Sequence, residues 1–177
     1  MCGQQLAEPR LTDSPPTVDL VDTNTFSNSF EIVTSNGDGW CFLYSLLNSH
    51  KFQLGSALCT LTELIDKLRK EVYENRYMYA IQVDNDQCKL VRQMNNYFIS
   101  KKYDSRFGDL LPVIAANALD QKLSIVHTDK VVNNNYRVSS MSPEHHDSNN
   151  KPKIHISRTG KHYDALKPII SGTRSPL

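Results

Sequence analysis

At 177 residues the chain has room for one domain with a real core and too little for two comfortable ones. Its hydrophobic content is 39% and its formal net charge is +1, a balance that gives no electrostatic footprint for nucleic acid or an anionic membrane surface. No apolar run approaches membrane-spanning length, and the Met1-Cys2-Gly3 start lacks the basic-then-apolar plan of a signal peptide.

Residues 1–25 carry Pro9, Pro15 and Pro16 among Thr, Ser and Asp, and predict a poorly ordered leader or linker. The domain proper is expected over 26–170, with 171–177 a frayed tail. Phe30, Ile32 and Val33 alternate enough for a short strand or extended arm. It ends at Ser35-Asn36-Gly37-Asp38-Gly39, a dense turn signal. From Cys41 to about residue 50, Phe42, Leu43, Leu46 and Leu47 share one helical face. Thr60-Leu61-Thr62-Glu63 has capping-box form, and Leu61, Leu64, Ile65, Leu68 and Val72 follow at helical spacing. A third helix is predicted from Asp84–Asp86 through Phe98, and the polar run 101–106 as a loop. Asp109 would cap a fourth helix over 110–119, with Pro112 in its first turn.

Beyond residue 120 the period changes. Residues 122–128 alternate, residues 136–139 read as a second strand, and 141–152 as a loop. Ile154 and Ile156 alternate in a third strand, and Thr159-Gly160 turns the chain into a fourth that begins at His162. Helices first and strands afterwards give an α+β order in a single domain.

The four cysteines, Cys2, Cys41, Cys59 and Cys88, lie far apart with no CxxC pair. That suits a reducing, cytoplasmic setting better than a disulfide framework or a structural zinc site. Cys59 and Cys88 read as small buried hydrophobes on helices. Cys41 differs, because it follows a Gly-containing turn and opens an apolar helix. Backbone N–H groups and the helix dipole at such a place favour thiolate, the nucleophilic form. His162 could act as base, and alternation along a strand puts Asp164 on the same face to orient it. Nucleophile, base and orienter are what acyl transfer at a carbonyl requires. Asp38 before Gly39 is also a favoured turn pair, and on that reading its part is backbone shape alone. His127 and His155 fall in predicted strands as structural or partly exposed residues, and His145 and His146 in a polar loop. Lys101 with Lys102, like Lys151 and Lys153, reads as a solvated charge cluster.

Three blocks together resemble the ovarian-tumour (OTU) family of cysteine proteases. Asp38-Gly39-Trp40-Cys41-Phe42 is similar to the family's D-G-[DN]-C-[LF] nucleophile loop and helix. Phe107-Gly108-Asp109 with Leu111, Ala115, Asn117 and Ala118, then Leu123-Ser124-Ile125-Val126, resembles its W-G-x-x-x-E-L-x-A-[LM]-A helix and central strand. Ile154-His155-Ile156 followed by His162-Tyr163-Asp164 is similar to the strand-turn-strand ending in H-Y-[ND], and 68–72 resembles the family's long helix. The match spans about residues 30–168. It implies a papain-like fold with a mixed or antiparallel central sheet flanked by helices. It further implies a deubiquitinase with Cys41 as nucleophile, His162 as base and Asp164 as its orienting partner. The loop through Asp38, Gly39 and Trp40, with the Cys41 N–H, would face the oxyanion. Ubiquitin or a ubiquitin-like modifier would be the partner of a monomer, with no metal or organic cofactor.

The departures mark a divergent member, with a viral or mobile-element origin as one reading. Trp40 stands where the family usually has a small acidic or amide residue; its indole would narrow the mouth of the site, alter the oxyanion loop, contact substrate, or simply pack. Phe107 replaces a Trp, Asp109 a Gly, and Pro112 enters the following helix. Two rival functions are a protease that processes its own viral or retroelement polyprotein, and a ubiquitin-binding module that has lost turnover.

Overall fold

The computed structural model describes residues 18–144 and 151–170. The elements run β1 (Val18–Asp22), α1 (Thr23–Ser29), β2 (Phe30–Val33), α2 (Cys41–Leu54), α3 (Leu61–Glu74), α4 (Arg76–Ala80), α5 (Gln87–Ser100), α6 (Ser105–Leu119), β3 (Leu123–Val132), β4 (Asn135–Met141), β5 (Ile154–Thr159) and β6 (His162–Pro168). Six strands make one sheet in the order β1-β4-β3-β5-β6-β2. The β3–β5 pair is parallel and the other neighbours are antiparallel, so the sheet is mixed.

Local chemistry sets the helix starts. The Thr60 hydroxyl accepts the Glu63 N–H at 3.2 Å and the Glu63 carboxylate accepts the Thr60 N–H at 2.7 Å, closing the capping box that the sequence predicts. Asp86 caps α5 by accepting the Lys89 N–H at 2.9 Å. Leu64, Leu68 and Val72 of α3 are fully buried and join Phe42, Leu43 and Leu46 of α2 in the main core, against Leu123, Ile125, Ile154 and Ile156 of the sheet. The alternate strand residues are covered too. Phe26 of α1 packs with Val126, Val138 and Leu166 in a second core.

Several boundaries differ from the sequence expectation. Residues 18–25, assigned to the leader, form β1 and the start of α1. β1 pairs along β4 from Val18↔Ser139 to Asp22↔Asn135, and Asp22 then caps α1 through the Thr25 N–H at 2.9 Å. Leu20 is 56% exposed, so β1 buries too little to leave a hydrophobic signature, and its backbone pairing comes from a partner over a hundred residues away. Residues 1–17 and 171–177, with the remaining leader and the tail, lie outside the described residues, as do His145 and His146. The short helix α4 carries no period long enough to read.

Helix α6 starts four residues before the predicted cap, at Ser105, because the Asp104 carboxylate accepts the Arg106 N–H at 2.9 Å. Pro112 therefore stands inside the helix and removes the bond to the Gly108 carbonyl, a loss of roughly 3 kcal/mol. Fully burying Phe107 and Leu111 offsets it at about 1.5–3 kcal/mol each. Cys59 is half-buried in the loop before α3, and Cys88 is exposed on α5, so neither is the buried helical thiol expected.

β1 and β2 occupy opposite edges of the sheet, five strand spacings or about 24 Å apart on a flat sheet. The seven residues of α1 span only about 10 Å. The β1–β4–β3 ribbon must therefore curl back over the sheet, and the register shift between His127 and Val131 marks the bulge where β3 bends.

Helix α2 is fastened to β5 and β6 by polar groups as well as by its core face. The Gln53 amide accepts the His155 N–H at 2.9 Å and donates to the carbonyls of His155 at 2.6 Å and Leu166 at 2.9 Å. The Ser49 hydroxyl accepts the Leu166 N–H at 2.9 Å. Because truncation would strand three backbone groups, Gln53→Ala should lower unfolding stability by about 2–3 kcal/mol in a urea titration. A loss below about 0.5 kcal/mol would show that water replaces the amide.

Candidate active site

The loop ahead of α2 is built to present Cys41. Gly39 has φ +90°, and a Cβ on it would lie 2.0 Å from the Lys101 carbonyl oxygen, so conformation and space both demand glycine. Trp40 is the N-cap of α2 and makes no side-chain cap bond; the first helical bond runs from the Tyr44 N–H to the Trp40 carbonyl at 3.1 Å. Cys41 occupies the first helical position, where backbone N–H groups have no partner within the helix. One Asp38 carboxylate oxygen accepts the Trp40 N–H at 3.2 Å and the other accepts the Lys101 ammonium at 2.6 Å. Of the loop amides predicted to face an oxyanion, that of Trp40 is thus already engaged.

The turn at Gly160 brings His162 and Asp164 to the start of β6, on one side of the strand as alternation predicts. His162 Nε2 and Asp164 Oδ1 are 2.9 Å apart, and the same oxygen accepts the Ser35 N–H at 2.9 Å. Asp164 is thereby held between β6 and the segment entering the nucleophile loop. With Nε2 engaged by the carboxylate, Nδ1 is the ring nitrogen left to exchange a proton.

Cys41 and His162 line one cleft of about 340 Å³, together with Gly37, Gly39, Tyr103, Thr159 and Lys161. A larger hollow of about 480 Å³ lies between α4 and α5, lined by Arg76, Gln87, Cys88, Val91, Arg92, Asn95 and Asn96. It pairs a thiol with no imidazole or carboxylate, so the smaller cleft holds the chemistry. The described residues contain no cluster of three or more His, Cys, Asp or Glu placed to hold a metal ion.

Trp40 does not line the cleft. Its indole N–H donates to the Tyr97 carbonyl at 2.9 Å and its ring lies under the Lys101 ammonium, 4.5 Å from the centroid. The indole is thus placed as the packing alternative has it, against the end of α5. Lys101, expected as part of a solvated cluster, is committed to the nucleophile loop. His127 and His155 are structural: His127 Nε2 lies 2.9 Å from the Ser139 hydroxyl and the His155 ring packs on Phe30.

Sequence reasoning missed Tyr103 and Arg158. Tyr103 forms a wall of the cleft and packs closely on Gly108, where a Cβ would meet its ring at 2.3 Å. Arg158 braces the turn that carries His162, donating to the Gly160 carbonyl at 2.8 Å and to Asp109 at 3.1 Å, with its guanidinium 5.2 Å from the Tyr163 ring centroid. The Gly108 in the family-like block was a usable signal for close packing; nothing local marked Arg158.

Burial pushes the Cys41 thiol up, and the Asp164 charge adds to this, while the amides of Tyr163, Phe42 and Cys41 pull the other way. Desolvation thus works against the thiolate that the helix N-terminus was expected to favour. Burial also raises Tyr97 and Tyr163, so neither phenol competes with His162 as a base. Thiolate is the alkylating form, so Cys41 reacts faster as pH rises through its raised pKa. Asp164→Asn removes one of the raising charges and should move the pH midpoint of Cys41 alkylation, followed by peptide mass, downward. An unchanged or higher midpoint would contradict this electrostatic picture.

No protein-family model matches this sequence, and no curated protein does. Solved structures do resemble it. The viral OTU domain protease from Dera Ghazi Khan virus matches with a TM-score of 0.57 at 17% identity, over 86% of this chain and 87% of that one. The viral OTU domain protease from Taggert virus gives 0.56 at 16% identity, over 89% and 88%. An OTU deubiquitinase from Wolbachia pipientis wMel gives 0.50 at 22% identity, over 78% and 88%. At these identities the shared property is the path of the backbone, and the α+β domain described above has the OTU fold.

Proposed function

We propose that this chain is a divergent OTU-type thiol hydrolase that cleaves the bond after the C-terminal glycine of ubiquitin or a ubiquitin-like modifier. The observation that carries the reading is that Cys41 and His162 line one cleft, with Nε2 of the imidazole held by Asp164. In this reading His162 Nδ1 takes the proton from the Cys41 thiol as the sulfur attacks the glycine carbonyl carbon. The tetrahedral oxyanion faces the Cys41 N–H and the Gly39 segment, where preorganised donors contribute about 3–4 kcal/mol each to such barriers. The imidazolium then protonates the departing amine, leaving a thioester on Cys41. Water, deprotonated by the same nitrogen, releases the carboxylate and restores the thiol.

Burial raises the Cys41 thiol, so a base within the cleft is needed to take its proton, and His162 fills that place in this reading. Gly37 and Gly39 leave one wall of the cleft without side chains, which suits a substrate whose last residues are glycines. Cys41, Cys59 and Cys88 are all free, which fits action in a reducing compartment.

Incubation with ubiquitin carrying a thiol-reactive group at its C-terminus tests the reading by mass. Wild type should gain the mass of one ubiquitin and Cys41→Ala none. Folded wild type that gains no ubiquitin would contradict the proposed substrate, and an adduct on Cys41→Ala would contradict the proposed nucleophile.

A further inference from the structure

The end of α5 holds the nucleophile loop at every residue from 38 to 40. Lys101 closes α5 in the left-handed region at φ +53°, with its N–H on the Tyr97 carbonyl at 3.1 Å. That conformation puts its carbonyl oxygen against Gly39, where a Cβ would be only 2.0 Å away. Its ammonium lies 2.6 Å from Asp38 Oδ2 and 4.5 Å from the centroid of the Trp40 ring. The Tyr97 carbonyl also accepts the Trp40 indole N–H at 2.9 Å. Asp38 turns its second oxygen inward onto the Trp40 N–H, so the carboxylate links Lys101 to the backbone one residue before the thiol. Two residues beyond Lys101 the chain supplies Tyr103, a wall of the same cleft.

We infer that Lys101 is a positioning residue: through Asp38, Gly39 and Trp40 it fixes the loop that aims the Cys41 thiol and the oxyanion-facing amides. This rests on the proposed hydrolase reading. The Lys101 and Asp38 side chains are 39% and 34% exposed, and a pair so open to solvent contributes little to global stability. Geometry is the larger effect, since a displacement of about 1 Å in a reacting group can lower rates by about 100-fold. The substitution of Trp40 for a small polar residue then has a physical use, because only a large aromatic ring can lie under the ammonium while its N–H reaches α5.

Trp40 is the chain's one tryptophan, so its emission reports the loop directly. The test compares wild type, Lys101→Met and Lys101→Arg for kcat and KM on ubiquitin with a C-terminal fluorogenic amide, for Trp40 emission, and for Cys41 alkylation by iodoacetamide. Lys101→Met should lower kcat by about tenfold or more with KM held within about twofold, and shift the emission to longer wavelength. Lys101→Arg, which keeps the cation, should recover much of both. Full kcat in Lys101→Met, or an equal loss in Lys101→Arg, would overturn the inference. If wild type does not turn over ubiquitin, the hydrolase reading fails separately and the alkylation rate decides. Faster labelling of Cys41 in Lys101→Met would uphold the positioning role, and an equal or slower rate with unchanged emission would overturn it.

Discussion

One oxygen of Asp164 accepts two hydrogen bonds, from the Ser35 N–H and from His162 Nε2, each at 2.9 Å. Ser35 lies between β2 and the nucleophile loop, and His162 opens β6, so this carboxylate registers the edge of the sheet against the loop that carries Cys41. The pairing of β2 with β6 from Phe30↔Pro168 to Val33↔Ala165 delivers Ser35 to that point. The Gln53 and Ser49 bonds fix the height of α2 over β5 and β6, and the edge-on contact of Phe42 with Tyr163 fills the space beneath the site. Without the Asp164 contacts the imidazole could rotate, and a histidine free to present either nitrogen is a poor partner for a thiol.

Burial acts against ionisation of that thiol. Cys41 is 6% exposed, and removal from water outweighs the amides of the helix N-terminus that would have favoured thiolate. Two ion pairs stand near the cleft. Lys101 holds the Asp38 carboxyl below the usual range, and Arg158 pairs with Asp109.

Much of this was legible because it depends on short-range rules. The Gly39 turn before an apolar helix, the Thr60–Glu63 box and the alternation of His162 with Asp164 each follow from backbone geometry within a few residues. Three motif blocks in family order then pointed to a fold that the solved viral and bacterial OTU structures share. The misreadings arose where distant partners overrode local pattern. β1 exists because β4 offers it an edge, Pro112 is tolerated because Phe107 and Leu111 are buried, and Lys101 is engaged because Asp38 lies 63 residues upstream. Trp40 was ambiguous for the same reason, since the Tyr97 carbonyl that receives its N–H cannot be placed from the chain alone.

The proton on the His162 ring is the most direct test of the central claim, that Asp164 holds this imidazole ready to receive the thiol proton. Nitrogen-15 chemical shifts of the neutral ring in wild-type protein distinguish the two tautomers. The geometry requires a protonated Nε2, donating to Asp164, and an unprotonated Nδ1. The opposite tautomer would leave no hydrogen on Nε2 to bond the carboxylate and no lone pair on Nδ1 to accept from Cys41, and would contradict this account of the site.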